Sequence, residues 1–428
     1  MTMVERLDCD YLVVGSGAMA MAFVDELLAQ TSGYTLIMLD QHTKPGGHWN
    51  DAYPWVRLHQ PAAHYGVNSR DLGDGGASLS SRDEILYYYE EVMKGFLQTG
   101  RVRYFPMCEY VADGRFRHVL ASDACYDVAV RMRIVDASYL AAVVPSVQPP
   151  QYEAQVPVIP INDLVKVRSP HPEYVVVGAG KTGIDAVLWL LDNGTSPARV
   201  RWVVPNDPWL LLRDPDGPRK PGVGEAAAGR VGQNLLGLEA MGVLQRVDAE
   251  VWPKKFRCAS VSRAEVAKLR RIPKENVVRL GRVLRAEPRR LVLERGSAAT
   301  APGALHVDCS TDGLRHKPER PIFEEGRMTL QSLFICQQVA SASILAYVEA
   351  HCADDCQKNE LCQPVPHPVF NADWPVVAKA SLANFKRLLS IKGFTEWFLP
   401  GRLSGVVLGF RQIILLAGTL PDSPVAKL

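Results

Sequence analysis

The stretch Tyr11-Leu-Val-Val-Gly15-Ser-Gly17-Ala-Met-Ala20, running on into Met21-Ala-Phe-Val-Asp-Glu-Leu-Leu28, decides the fold. A β-branched strand enters a glycine turn and leaves as a helix of 3.6-residue apolar period, which is a βα phosphate-binding unit. Gly15 permits the tight turn, Gly17 lets backbone approach a pyrophosphate, and Ala20 stands where a third glycine would bring helix and strand together. Ala18 and Met19 complete the first helical turn, whose free N–H groups and partial positive charge face the phosphates. Tyr34-Thr-Leu-Ile-Met-Leu39 reads as the next strand, and Asp40 with Gln41 follows it where an adenosine ribose would sit.

The pattern recurs. Tyr174-Val-Val-Val-Gly178-Ala-Gly180-Lys181-Thr182-Gly183 leads into the apolar helix Ile184 to Leu191, and Val200-Arg-Trp-Val-Val204 supplies the next strand. A second dinucleotide site follows. The Gly-Lys-Thr within it is not a P-loop, because that motif needs a glycine at the position held by Val175. Lys181 either touches a cofactor phosphate or is a solvated lysine at a helix start.

Between the two units, Gly46-Gly47-His48-Trp49, Arg57-Leu-His59-Gln60-Pro61 and Tyr65-Gly-Val-Asn68-Ser69 are rich in aromatics, imidazoles and amides but lack regular period. That composition suits a binding loop. Ser81-Arg-Asp-Glu84 has capping-box spacing and opens a helix from Ile85 to Leu97. Val128 to Asp136, Tyr139 to Val144, Val277 to Leu284 and Leu291 to Leu293 read as strands, and prolines 145, 149, 150, 157 and 160 mark a crossover. The expected fold is α/β: two Rossmann-like dinucleotide-binding domains, the second (166–304) inserted into a discontinuous first (1–165 and 305–428).

Composition removes several functions. The 428 residues suit two or three domains, and 48 Lys+Arg against 46 Asp+Glu give a net charge of +2, too small a field to recruit nucleic acid or a membrane surface. Fourteen Lys/Arg face four Glu between Lys254 and Arg295, but no aromatic interleaving marks a nucleic-acid platform. Nine scattered cysteines argue against a disulfide framework and for a cytoplasmic chain, the N-terminus shows no export signal, and no stretch is apolar for long enough to span a membrane. His351-Cys352-x3-Cys356-x5-Cys362 with His367 matches no standard zinc spacing, so no metal is expected.

Together, Gly15-x-Gly17-x-x-Ala20, Asp40, Gly46-Gly47-x-Trp49, the second fingerprint and the late strand Leu305 to Cys309 reaching Asp312-Gly313 resemble the class B flavin-dependent monooxygenases of the flavin-containing monooxygenase type. The resemblance implies FAD in the first domain, NAD(P)H in the second, and a flavin C4a-(hydro)peroxide formed with O2 that oxygenates a small aromatic or heteroaromatic molecule. By the same resemblance Gly46, Gly47 and Trp49 lie along the flavin, and Asn68 stands near its C4a. His48, His59 and Gln60 are polar neighbours in the same loop able to donate to a peroxide or move a proton. Asn206, not arginine, follows Val203-Val204-Pro205, which leaves NADH, NADPH held by Arg201, Arg213 or Arg219, or loss of efficient nicotinamide use all open. The Baeyer–Villiger fingerprint Phe-x-Gly-x-x-x-His is missing from Val156 to Pro172.

Other flavoproteins share this plan. A disulfide reductase needs a thiol pair after the first domain's second strand, and no cysteine lies between Asp40 and Met107. A quinone-reducing dehydrogenase would use Phe394 to Leu399 and Val406 to Leu416, with Lys386, Arg387, Lys392, Arg402 and Arg411, as a basic amphipathic anchor. Pro400, Gly401, Gly405 and Gly409 interrupt that helix and favour a cap on the substrate pocket or a homodimer interface. A substrate-driven oxidase and a nucleotide-sensing flavoprotein without turnover complete the alternatives.

Overall fold

The computed structural model describes residues 3–76, 78–121, 123–213, 230–314, 317–409 and 411. The first unit runs β1 (Met3–Val14), α1 (Ala18–Gln30), β2 (Leu36–Leu39), α2 (Arg82–Gln98), β3 (Val102–Phe105), β4 (Cys108–Ala112), β5 (Arg115–His118) and β6 (Ala124–Asp136). The crossover adds β7 (Glu153–Ala154) and β8 (Val158–Pro160). The second unit follows as β9 (Tyr174–Val177), α3 (Lys181–Asp192), β10 (Val200–Val203), β11 (Pro208–Leu212), α4 (Arg230–Ala240), β12 (Leu244–Gln245), β13 (Lys255–Val261) and α5 (Arg263–Leu269). It closes with β14 (Val277–Val278), β15 (Val283–Glu287), β16 (Arg290–Leu293), β17 (Gly296–Ala299) and β18 (Leu305–Asp308). The chain then returns through β19 (Phe323–Glu324), β20 (Arg327–Thr329), α6 (Gln338–His351), α7 (Asp355–Leu361), α8 (Asp373–Leu388) and α9 (Phe394–Phe398).

The first sheet has the order β19-β20-β6-β1-β2-β3, with β1 parallel to both β2 and β6. Successive residues of a strand face opposite sides, and β1 shows it. Tyr11 and Val13 join the core under α1, α2 and α6, whereas Leu12 packs with Ile37, Leu39 and Phe116 beneath the β4–β5 hairpin. The second sheet has the order β14-β10-β9-β18-β8. Val176 faces α3 and α5, while Val175 and Val177 face the β15–β16 hairpin. Helices and hairpins thus cover both faces, as a buried parallel sheet requires. The strands β8 and β18 belong to this sheet and β7 pairs with β15, so the sheets of the second unit take in strands from 153 to 308.

Helix α2 starts on the Ser81/Glu84 capping box. Tyr139 to Val144 forms no strand and makes only an isolated bridge, Val143 to Gly313. Val277 to Leu284 is broken after Val278, because Gly281 turns left-handed at φ +90°. Cysteines 258 and 336, expected to be free, form a disulfide. A third apolar cluster spans the units, with Trp209, Leu238 and Phe256 of the second packed on Ile335, Trp374 and Val377 of the returning chain.

Candidate functional site

Both glycine turns sit at the C-terminal ends of central parallel strands, where ligands of open α/β sheets bind. In the first, Gly15 adopts φ +101° and donates to Leu39 O at 2.8 Å. Gly17 is the N-cap of α1, with no capping side chain and no acidic residue in the first turn, so the amides of Ala18, Met19 and Ala20 begin the helix without a side-chain acceptor. Gly46 N donates to Ser16 O at 3.0 Å and lays Gly47 over Gly17; a Cβ on Gly47 would come within 2.9 Å of Gly17 Cα.

Asp40 has more partners than a free ribose acceptor. Its Oδ2 accepts from Ser16 N (2.6 Å) and Ser16 Oγ (2.9 Å), and its Oδ1 accepts from His42 N (2.9 Å) and contacts His42 Nδ1 (2.7 Å). His42 Nε2 continues to Asp51 Oδ2 at 2.8 Å. Burial alone would raise the Asp40 carboxyl, but the bonds from His42 and Ser16 outweigh it and hold the group below its ordinary range. The Asp40 bond, with Asp51 adding to it and burial opposing, pushes His42 up to about 9. Asp40 therefore shapes the Ser16 turn, and a ribose hydroxyl has to share it with His42. Gln41 is exposed beside it.

The second turn is tighter and its mouth more open. Gly178 has φ +125°, and a Cβ there would lie 2.5 Å from Cys309 O; one on Gly183 would overlap the Gly178 carbonyl. Gly180 is exposed, with nothing within 4 Å of a built Cβ, and caps α3 without a side-chain bond. Lys181 is ion-paired with Asp185 across one helical turn, and Thr182 is half-buried. Arg201 holds Glu173 at 2.8 Å, and Arg213 holds Glu265 at 2.5 Å and donates to Ser260 O at 2.8 Å, so both guanidiniums already have acceptors within the chain. Arg219 lies outside the described residues. Asn206 is half-buried, and Asp312 pairs with Arg257 at 3.3 Å.

The loop from Gly46 to Ser69 straps the two turns together. After covering Gly17 and forming a short helical turn at Gly47–Trp49, it crosses to the second unit. There Tyr53 donates to Asp185 Oδ2 at 2.5 Å, Trp55 stacks on Trp189 at 4.8 Å between centroids, and His59 Nδ1 meets Ser260 Oγ at 3.0 Å. It then returns, with Trp49 Nε1 donating to Tyr65 OH at 2.7 Å. Ser260 Oγ also donates to the His59 carbonyl, so its oxygen must accept from the ring; Nδ1 carries the proton and Nε2 keeps a lone pair. Burial, then the Lys181 and Arg213 charges, bring His59 down to about 3. Burial brings His48 down to about 4. Both are neutral at pH 7, which suits acceptance and not donation from an imidazolium.

Gln60 Nε2 makes only a long bond to His64 O, 3.3 Å. Asn68 is committed elsewhere: Nδ2 donates to Glu26 Oε2 (2.9 Å) and Ser343 Oγ (2.8 Å), and Oδ1 accepts from Leu403 N (3.1 Å). It lines a shallow recess with Ser343, Trp397, Phe398 and Leu403. Arg402, read from sequence as part of a basic anchor, turns inward and donates to the carbonyls of Ala62, Ala63, Tyr65 and Val67. Trp397 stacks on Tyr347 and donates to Glu26, so this segment seals the first unit. His42, Ser260 and Tyr53 escaped sequence reasoning, as did the inward-facing role of Arg402; no local pattern marks them. Among the described residues no group of His, Cys, Asp and Glu could hold a metal, and no helix is long and apolar enough to cross a membrane.

No family model matches the chain. An uncharacterised Mycobacterium tuberculosis protein, Rv2000, is 43% identical over 427 residues, covering 94% of this chain and 78% of that protein. Among solved structures, the NADP+-bound cyclohexanone monooxygenase of Rhodococcus sp. Phi1 is similar at a TM-score of 0.50 and 14% identity, over 98% of each chain. A flavin monooxygenase of Stenotrophomonas maltophilia gives 0.49 at 15% identity, over 81% of this chain and 100% of that one. A bacillithiol disulfide reductase of Bacillus cereus gives 0.47 at 13%, over 80% and 99%. What the chain shares with the first of these is the fold, a pair of Rossmann-type dinucleotide-binding units.

Proposed function

Since the chain belongs to one family with the mycobacterial protein Rv2000, whose chemistry is open, we propose that it is an FAD-dependent oxidoreductase. In this reading it takes hydride from NAD(P)H and uses O2 to oxygenate a small organic molecule. The observation that carries the reading is the pair of uncapped glycine turns, each opening a helix at the edge of its own parallel sheet and joined by the Gly46–Ser69 strap. FAD, when bound, supplies hydride acceptance and reaction with O2. The first turn, Gly15 to Ala20, would hold its pyrophosphate on the α1 amides, with Asp40 reaching the ribose in competition with His42. Gly47, His48 and Trp49 would line its approach.

Gly178, Gly180, Lys181, Thr182 and Gly183 would hold the nicotinamide coenzyme, and His59 would offer Nε2 as an acceptor beside it. The aromatic packing of Trp49, Tyr65, Tyr88 and Tyr89 would keep water from the first turn. Asn68, with its amide committed to Glu26 and Ser343, would position the strap and leave proton transfer to other groups. A thiol-relay reductase is disfavoured because Asp40 to Met107 holds no cysteine. The oxygenating reading, the cytoplasmic setting and a homodimer remain part of this proposal.

The test is the absorbance spectrum of the purified chain, followed by anaerobic NADH or NADPH and then an oxygen pulse. Flavin bands near ~370 and ~450 nm that bleach with one nicotinamide and return with consumption of O2 are expected. Flavin that no nicotinamide reduces, or no flavin uptake at all, would sink the proposal.

A further inference from the structure

The seam between the two units is built around one bulge. Strand β13 pairs with β11 from Phe256 opposite Trp209 and resumes at Ser260 opposite Leu211, so residues 257 to 259 bulge out of register. Arg257 and Cys258 within the bulge, and Ser260 just past it, reach the first unit's chain. Arg257 donates to Leu314 O at 2.7 Å, Cys258 is bonded to Cys336, and Ser260 holds His59. Cys258 and Cys336 both have left-handed backbone, φ +55° and +57°, a conformation that non-glycine residues hold only when their surroundings enforce it and that gathers at switch sites.

Cys336 lies two residues before α6. Helices α1 and α6 run side by side in the same direction, since Glu26 meets Ser343 and Gln30 meets His351, so the bridge sits at the end of the first unit that carries Gly17. Cys258 is buried, whereas Cys336 is partly exposed, and His367 Nδ1 lies 3.7 Å from its sulfur. His367 also lines a solvent-open cleft with Tyr139, Lys317, Glu319, Gln331 and Gln338. A cation and a carboxylate on the wall of this cleft, Lys317 and Glu319, match the carboxylate and ammonium ends of a small cysteine-based thiol.

We propose that Cys258–Cys336 is a thiol–disulfide exchange site, opened by a low-molecular-weight cysteine-based thiol docked in the His367 cleft, and that opening it releases β13 from the first unit. In the first step the ligand thiolate forms a bond to Cys336 sulfur, the Cys258–Cys336 bond breaks, and Cys258 leaves as a thiolate that takes a proton from solvent. In the second, another ligand thiolate attacks the ligand sulfur of the mixed disulfide and Cys336 leaves as a thiolate beside the His367 ring. Two ligand thiols are oxidised to one disulfide and the protein gains two thiols, with the reverse run by the ligand's own disulfide. Bridges of this kind in cytoplasmic proteins are typically redox elements rather than permanent staples.

The full chain would be equilibrated without denaturant in mixtures of reduced and oxidised glutathione, quenched with acid and alkylated, and residues 258 and 336 read by peptide mass spectrometry. Expected are two thiols appearing together and reversibly, amide exchange in Lys255–Val261 at least about tenfold faster in the reduced protein, and opening about tenfold slower in His367→Gln. A pair that reduced glutathione opens only on unfolding, or cysteines alkylated after incubation with glutathione disulfide alone, would overturn the exchange site. Unchanged amide exchange across β13 on reduction would overturn the release, and wild-type opening kinetics in His367→Gln would overturn the docking.

Discussion

Ser260 Oγ and His59 are joined twice, once through the ring Nδ1 at 3.0 Å and once through the His59 carbonyl, although 201 positions separate them in sequence. The double contact fixes the tautomer and aims an unprotonated Nε2 from the seam beside the α3 turn. In Ser260→Ala the ring loses that restraint, and coenzyme Kd should weaken about 3- to 10-fold, by the 0.5–1.5 kcal/mol typical of one hydrogen bond. Nicotinamide fluorescence titration of the purified variant reads this directly. An unchanged Kd removes His59 from the coenzyme site.

The same burial predicts acid lability. His59 and His48 have folded pKa values of about 3 and 4 against an ordinary 6.5, so between those values the unfolded chain binds protons that the folded chain refuses. Stability is therefore lost as pH falls below about 6.5, by at most about 2 kcal/mol per histidine at about pH 5. Thermal melts of wild type and of His48→Gln/His59→Gln across that range should show a shallower slope in the double variant.

His42 carries the opposite sign. Its pKa rises to about 9 through Asp40 and Asp51, so its contribution is complete below the unfolded value of about 6.5 and disappears as pH passes about 9. Wild type should lose up to about 3 kcal/mol over that interval, and His42→Asn should lose little. Denaturant titrations at three alkaline pH values would check it, and equal losses in both proteins would refute the ion pair.

Two glycines distinguish the turns. Gly183→Ala places a methyl on the Gly178 carbonyl, so coenzyme affinity should fall at least about tenfold while flavin retention is kept. Gly47→Ala combines φ +56° with close approach to Gly17 and should cost about 1–2 kcal/mol and weaken flavin retention. Flavin content after gel filtration and coenzyme Kd separate the two outcomes.

Arg402 offers a test of the strap. Its guanidinium reaches four carbonyls between Ala62 and Val67, a geometry that an ammonium cannot reproduce. Arg402→Lys should destabilise the chain nearly as much as Arg402→Ala, about 2–3 kcal/mol, with proteolysis appearing first within residues 60–70. Full rescue by lysine would mean that charge alone is needed there.

The two glycine turns and the Ser81/Glu84 cap were legible because each is local: a positive φ, a strand before and a helix after are written within a dozen residues. The partners that decide what those turns can do are not local. Asp40 reads as a ribose acceptor, and the fold adds His42, itself held by Asp51; Asn68 reads as a flavin neighbour, and the fold adds Glu26, Ser343 and Leu403 as its partners. Basic residues look alike in sequence whether solvated or buried, so Arg402 reads as surface charge. The cysteine pair, 78 residues apart, carries no spacing signal, and β8, three residues long, is too short to show a period, whereas β18 is read as the strand Leu305 to Cys309.

Those two short strands have an evolutionary consequence. Because β8 and β18 lie side by side and parallel, register His306 to Val158, the chain enters and leaves the second unit's central sheet about one short strand length apart, roughly 10 Å. A module with neighbouring ends can be grafted into or cut from a host by joining those ends with a short linker, leaving the host sheet's strand order untouched. The disulfide and the strap are further fastenings between the two units.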